Sequence, residues 1–90
     1  MLEIVLSNQF KKDLKLASKR GYNLELLTSV VETLARREAL PEKFKDHNLT
    51  GDYSGFRECH IQPDWLLIYR IDNDELILFL SRTGTHSDLF

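Results

Sequence analysis

Between residues 42 and 54 the hydrophobic pattern of this chain changes period, and that change bounds the folds open to it. Ahead of it, Leu24, Leu27, Val30, Val31 and Leu34 recur at helical spacing behind Asn23, a good N-cap, with Pro41 expected to end the helix. An earlier helix is expected over residues 8–20, capped by Ser7, carrying Phe10, Leu14 and Ala17 on its apolar stripe and stopped at Gly21. Leu2, Ile4 and Leu6 alternate with Glu3 and Val5, which predicts a strand over 2–6. Beyond the switch the period is two. Residues 55–61, 65–72 and 75–82 read as strands, and Pro63-Asp64 and Asp72-Asn73-Asp74 are connections short enough for hairpins. The polar stretch 42–54, with Gly51, reads as a loop, and Gly84 to Phe90 as a tail. The predicted order is β-α-α-β-β-β, an α+β fold with two helices on one face of a small, mainly antiparallel sheet and the other face partly open.

Ninety residues hold one core, so residues 1–90 are read as a single domain. Twelve Lys and Arg against fourteen Asp and Glu leave a formal charge of −2, which gives no strong global field for nucleic acid. The basic residues are concentrated early, with Lys11, Lys12, Lys15, Lys19 and Arg20 on the first helix and Lys43 and Lys45 in the loop. The longest apolar runs, Trp65 to Tyr69 and Leu76 to Leu80, are too short to span a bilayer, and no signal peptide is visible, so a cytoplasmic protein without a membrane role is expected. Cys59 is alone, which excludes an internal disulfide and a cysteine zinc cage.

Three histidines fall in the second half of the chain: His47 in the loop, His60 near a strand end and His86 in the tail. In the inferred layout they lie near Asp64, Trp65, Arg82 and Phe90. Cleaving RNA without a metal requires a base for the 2′-hydroxyl proton, an acid for the leaving 5′-oxygen and a cation for the charge that grows on the phosphate. Histidines with Arg82 can supply all three, and Phe90 or Trp65 can hold a base by stacking. His47, His60, His86, Asp64 and Cys59 are also possible zinc ligands, but they lack the short paired spacings of structural zinc sites, and no metal or cofactor is expected.

The wording of the motifs is more specific. Lys45-Asp46-His47-Asn48-Leu49-Thr50-Gly51 is followed by Gly55-Phe56-Arg57-Glu58-Cys59-His60-Ile61, by Pro63-Asp64-Trp65 and by Arg82-Thr83-Gly84-Thr85-His86-Ser87-Asp88-Leu89-Phe90. This series closely resembles the YafQ branch of the RelE/ParE toxin superfamily. The resemblance implies a type II toxin: a ribosome-dependent, metal-independent endoribonuclease that cuts messenger RNA in the A site of the 70S ribosome and stops translation. It implies His47, His60, Asp64, Arg82 and His86 as catalytic residues and Phe90 as the aromatic that stacks on a base, with Trp65 in the same element as Asp64. It also implies a cognate antitoxin of ribbon-helix-helix type, held with the toxin in a heterotetramer. The competing function within the superfamily is a ParE-type toxin that binds DNA gyrase without cutting RNA; such a toxin has no need of three histidines.

Each residue also has a plainer reading. His47 can be a loop residue bonded to backbone, His60 a structural partner of Glu58, Asp64 a turn residue, Trp65 core, Arg82 a solvated strand end and Phe90 a plug over the core. Lys11, Lys12 and Lys15 can form a solvated face or, with Lys43 and Lys45, meet RNA phosphates.

Overall fold

The structure is a computed structural model that describes residues 1–90. Its elements run β1 (Glu3–Leu6), α1 (Asn8–Lys19), α2 (Leu24–Ala35), β2 (His47–Asn48), β3 (Arg57–Gln62), β4 (Trp65–Asp72), β5 (Ile77–Gly84) and a terminal turn of helix, α3 (His86–Leu89). The strands form one sheet in the order β1-β5-β4-β3-β2. β1 pairs with β5 in parallel, and all other pairs are antiparallel. The α+β class and the three-strand meander are as the hydrophobic pattern predicts.

Alternation sorts the meander between two faces. Cys59, Ile61, Trp65, Leu67, Tyr69, Leu78 and Leu80 join Phe10, Leu27, Val30, Val31 and Leu34 in the main core. On the opposite face Leu66 and Ile68 are covered by Leu89 of α3, flanked by Leu49, Tyr53 and Phe56. The tail is therefore a packed lid over the second face.

Both long helices begin as expected. The Ser7 hydroxyl accepts from the backbone N–H of Phe10, and the Asn23 side chain accepts from that of Glu25. α1 closes with Gly21 in the left-handed region, where Tyr22 N–H bonds Ala17 O and Gly21 N–H bonds Ser18 O. α2 corrects an expectation: it ends at Ala35, well before Pro41. Arg37 takes the left-handed position there, and the same bond pair forms from Glu38 to Thr33 and from Arg37 to Leu34. An arginine in place of glycine hides this stop from sequence.

Two further differences lie in the expected loop and tail. The stretch 42–54 holds 3-10 turns at Glu42–Phe44 and Gly51–Tyr53 with the two-residue strand β2 between them. β3 starts two residues later than expected, and β5 runs to Gly84 before α3 forms. Thr85 and Asp88 close a reciprocal capping box that makes this last turn helical.

Candidate active site

β3 sets the site. Its core-side residues, Cys59 and Ile61, are buried, so Glu58 and His60 project from the opposite face. The antiparallel register of β2 sets His47 directly against Glu58. Glu58 is 4% exposed, and its carboxylate faces both rings: Oε1 is 3.7 Å from His47 Nε2 and 3.5 Å from His60 Nε2. The other ring nitrogens face backbone carbonyls, His47 Nδ1 at 2.6 Å from Lys45 O and His60 Nδ1 at 3.3 Å from Pro63 O. A carbonyl oxygen only accepts, so each of these contacts needs the proton on Nδ1. Both Nε2 atoms are thereby directed at one carboxylate oxygen, and a proton carried on either lies against Glu58.

The terminal turn adds the third histidine. The His86 ring centroid lies 5.9 Å from that of His60 and 6.1 Å from that of Phe90. Asp64, in the β3–β4 turn, accepts from the His86 backbone N–H at 3.3 Å and stands 3.5 Å from His86 Nδ1. Phe90 is well exposed and meets Tyr53 edge-on at 5.6 Å, so its ring is available for stacking. His47, His60, Glu58, His86, Asp64 and Phe90 thus form a connected patch that joins the loop, the first hairpin and the tail.

The loop carrying His47 is fastened from the core side. Tyr69 Oη donates to Asp46 Oδ1 at 2.5 Å, and Arg57 Nη2 lies 3.2 Å from Asp46 Oδ2. Arg57 Nη1 also donates to Asn48 Oδ1 at 2.7 Å, so both neighbours of His47 are tied to one guanidinium. Burial, then the hydrogen bond to Asp46, pushes the Tyr69 phenol above its usual range.

Arg82 is paired with Ile68, which in turn is paired with Glu58, so it lies on the sheet face of Glu58 and His60, two strands across. β1 ends at Leu6, opposite Leu80, so beyond that point β5 has β4 on one side and no strand on the other, and α1 covers that open edge with Asp13. The Asp13 carboxylate accepts from Arg82 Nε at 2.8 Å, from Arg82 Nη2 at 3.2 Å and from the Thr83 backbone N–H at 3.1 Å. The guanidinium is partly exposed, and the bond to Asp13 raises its pKa against the opposing effect of burial.

Trp65 is a correction. Expected as an RNA contact, it is 1% exposed, with its ring 4.9 Å from Tyr22 and Nε1 donating to Thr83 Oγ1 at 2.9 Å. Alternation places Trp65 with Leu67 and Tyr69 in the main core, where its ring is closed to stacking by a base. Lys43 and Lys45 are exposed and line, with His60, a cavity of about 490 Å³ between α2 and the end of β3. Lys11, Lys12 and Lys15 are exposed on α1, which packs on β5 rather than on β3. No three side chains among His, Cys, Asp and Glu converge at metal-ligand spacing. In the sequence Glu58 reads only as a structural partner of His60; the signal for a site role is its position two residues before His60, on the same strand face.

A family model described as bacterial toxin of type II toxin–antitoxin system, YafQ, matches residues 2–90. The mRNA interferase toxin YafQ of Escherichia coli K12 is 43% identical over 89 residues, covering 98% of this chain and 95% of that protein. A crystal structure of a metal-bound toxin from Helicobacter pylori superposes with a TM-score of 0.95 at 51% identity, covering all of both chains. A structure of the E. coli DinJ–YafQ complex matches with a TM-score of 0.91 at 40% identity, covering 100% of this chain and 99% of that one.

Proposed function

Because this chain belongs to the YafQ family of bacterial type II toxins, we infer that it is an mRNA interferase, an endoribonuclease that cuts messenger RNA on the ribosome and so inhibits translation in the cytoplasm. Its partner at rest is a cognate antitoxin, as DinJ is for the E. coli relative. The expected ribbon-helix-helix antitoxin domain and a heterotetramer complete that reading.

One observation carries the chemistry: a buried carboxylate, Glu58, faces the Nε2 atoms of two histidines on a surface that a third histidine and an exposed aromatic complete. Attack of the 2′-oxygen on the adjacent phosphate needs a proton removed at one end and supplied at the other. His60 and His47 lie within reach of a common proton acceptor, which suits removal. His86, half exposed and steadied by Asp64, suits delivery to the leaving 5′-oxygen. Phe90 stacks on the base and fixes the sugar-phosphate against the histidines. Arg82 contributes positive field from the end of β5, with two of its N–H groups retained by Asp13. The products are a 2′,3′-cyclic phosphate or 3′-phosphate and a 5′-hydroxyl. Lys43 and Lys45 beside His60, and Lys11, Lys12 and Lys15 on α1, meet RNA phosphates.

Primer extension on a defined messenger in a translation extract, with wild type beside His86→Ala, tests the reading. Discrete cuts within codons, lost in a folded variant, are expected. A folded wild type that arrests growth and leaves the messenger intact overturns it and points to a gyrase-binding toxin.

A further inference from the structure

His86 and Phe90 ride on a single turn of helix, too short to hold its shape in water unless it is tied down. The ties converge on Asp88. Arg20, in the last turn region of α1, grips it at two points: Nη1 to Oδ2 at 2.6 Å and Nη2 to Oδ1 at 3.1 Å. The same carboxylate accepts from the Thr85 backbone N–H at 2.9 Å, while the Thr85 hydroxyl accepts from Asp88 N–H at 3.1 Å. A Cβ at position 84 would stand 2.9 Å from Asp88 Oδ2, so glycine there is what lets the carboxylate close in. Neither Arg20 nor Asp88 forms a hydrogen bond or ion pair with His47, His60, His86 or Glu58.

We propose that Arg20 and Asp88 are a positioning pair, which anchors the terminal turn to α1 and thereby sets where His86 and Phe90 stand against the β3 histidines. The role rests on the ribonuclease reading above. Leu89, buried against Leu66 and Ile68, fixes the depth of the turn, and the single 3.3 Å bond from the His86 backbone N–H to Asp64 holds only its first residue, which leaves the turn free to rotate. The two-point grip from α1 removes that freedom. Rotation would carry His86 and Phe90, on either side of the anchor, away from His60 and Tyr53. Displacements near 1 Å at reacting groups cost about 10²-fold in rate.

The test compares wild type, Arg20→Ala, Asp88→Asn and the double variant in single-turnover cleavage on programmed ribosomes. Thermal midpoints and backbone amide relaxation of residues 85–90 are measured in parallel. Each single variant should lose about tenfold or more in cleavage rate at saturating ribosome, with affinity for the ribosome unchanged and faster motion confined to the tail. The double variant should be no slower than the worse single, because the two residues act as one unit. Losses that multiply, a loss that lies in ribosome affinity and grows with salt, or a tail as ordered in Arg20→Ala as in wild type would each overturn the proposal. If wild type itself cuts nothing, the ribonuclease reading fails, and the relaxation data still decide whether the pair orders the turn.

Discussion

Glu58 Oε1 stands 3.5 Å from His60 Nε2, on one face of β3 and two residues away in sequence. The carboxylate is almost wholly removed from solvent, and its apposed groups are imidazoles. Its charge, more than its bulk, is what a proton-transfer site uses. Glu58→Gln keeps the shape and loses that charge. Cleavage by the folded variant should fall by about 10²–10⁴-fold, measured as a single-turnover rate on programmed ribosomes. A rate within a few-fold of wild type would remove Glu58 from the chemistry.

Removing one oxygen tests how His47 is held. Tyr69→Phe deletes the donor to Asp46 at the core side of the loop. A hydrogen bond to a charged acceptor contributes about 2 kcal/mol, so denaturant unfolding should show a loss of that order. The His47 ring resonances should broaden while those of His60 stay sharp, as NMR of labelled histidines would report. Equal broadening at both rings would mean that the network steadies the sheet rather than the loop.

Trp65→Phe separates packing from RNA contact. The variant loses the Nε1 bond to Thr83 and part of the contact with Tyr22. It should unfold about 1–3 kcal/mol more easily, yet cut messenger at the wild-type rate at a temperature where both are folded. A selective loss of ribosome binding at unchanged stability would restore Trp65 to the RNA surface.

Cys59 gives a pH-dependent prediction. Burial, with smaller contributions from Asp46 and Glu58, pushes its thiol up to about 12. The folded state thus favours the protonated thiol, and thiolate formation opposes folding as pH rises through the unfolded value near 9. Alkylation of the native protein at pH 8 should be slow and should follow the rate of unfolding, whereas denatured chain should react at once. Rapid native-state alkylation would contradict the burial of this position.

What could be read from the residues alone depends on how local the deciding interaction is. Leu67, Ile68 and Tyr69 announce a strand because each side chain reports its own burial through alternation. β2 carries no such mark: His47 and Asn48 are both polar, and they become a strand only because Glu58 and Arg57 lie opposite. The end of α2 was hidden for a related reason, since the left-handed residue is Arg37 and its stop is written in backbone bonds. At the site, the histidines and Asp64 were legible as chemistry-bearing residue types in specific motifs. Glu58 was not, because a glutamate on a strand ordinarily faces water. The grip of Asp13 on Arg82 was also out of reach, as it joins residues 69 apart in the chain.

The parallel pairing of β1 with β5 has a genetic corollary. β5 stands between β1 and β4, so the first strand of this sheet in chain order has its neighbour in the last. A stop codon or frameshift anywhere upstream of β5 deprives β1 of its pairing and α1 of the edge that Asp13 covers. No shortened product keeps a partial sheet with a working site. Cells selected to survive the unopposed gene should therefore carry nonsense and frameshift lesions spread along its whole length, while surviving missense changes gather at the residues of the site and the core.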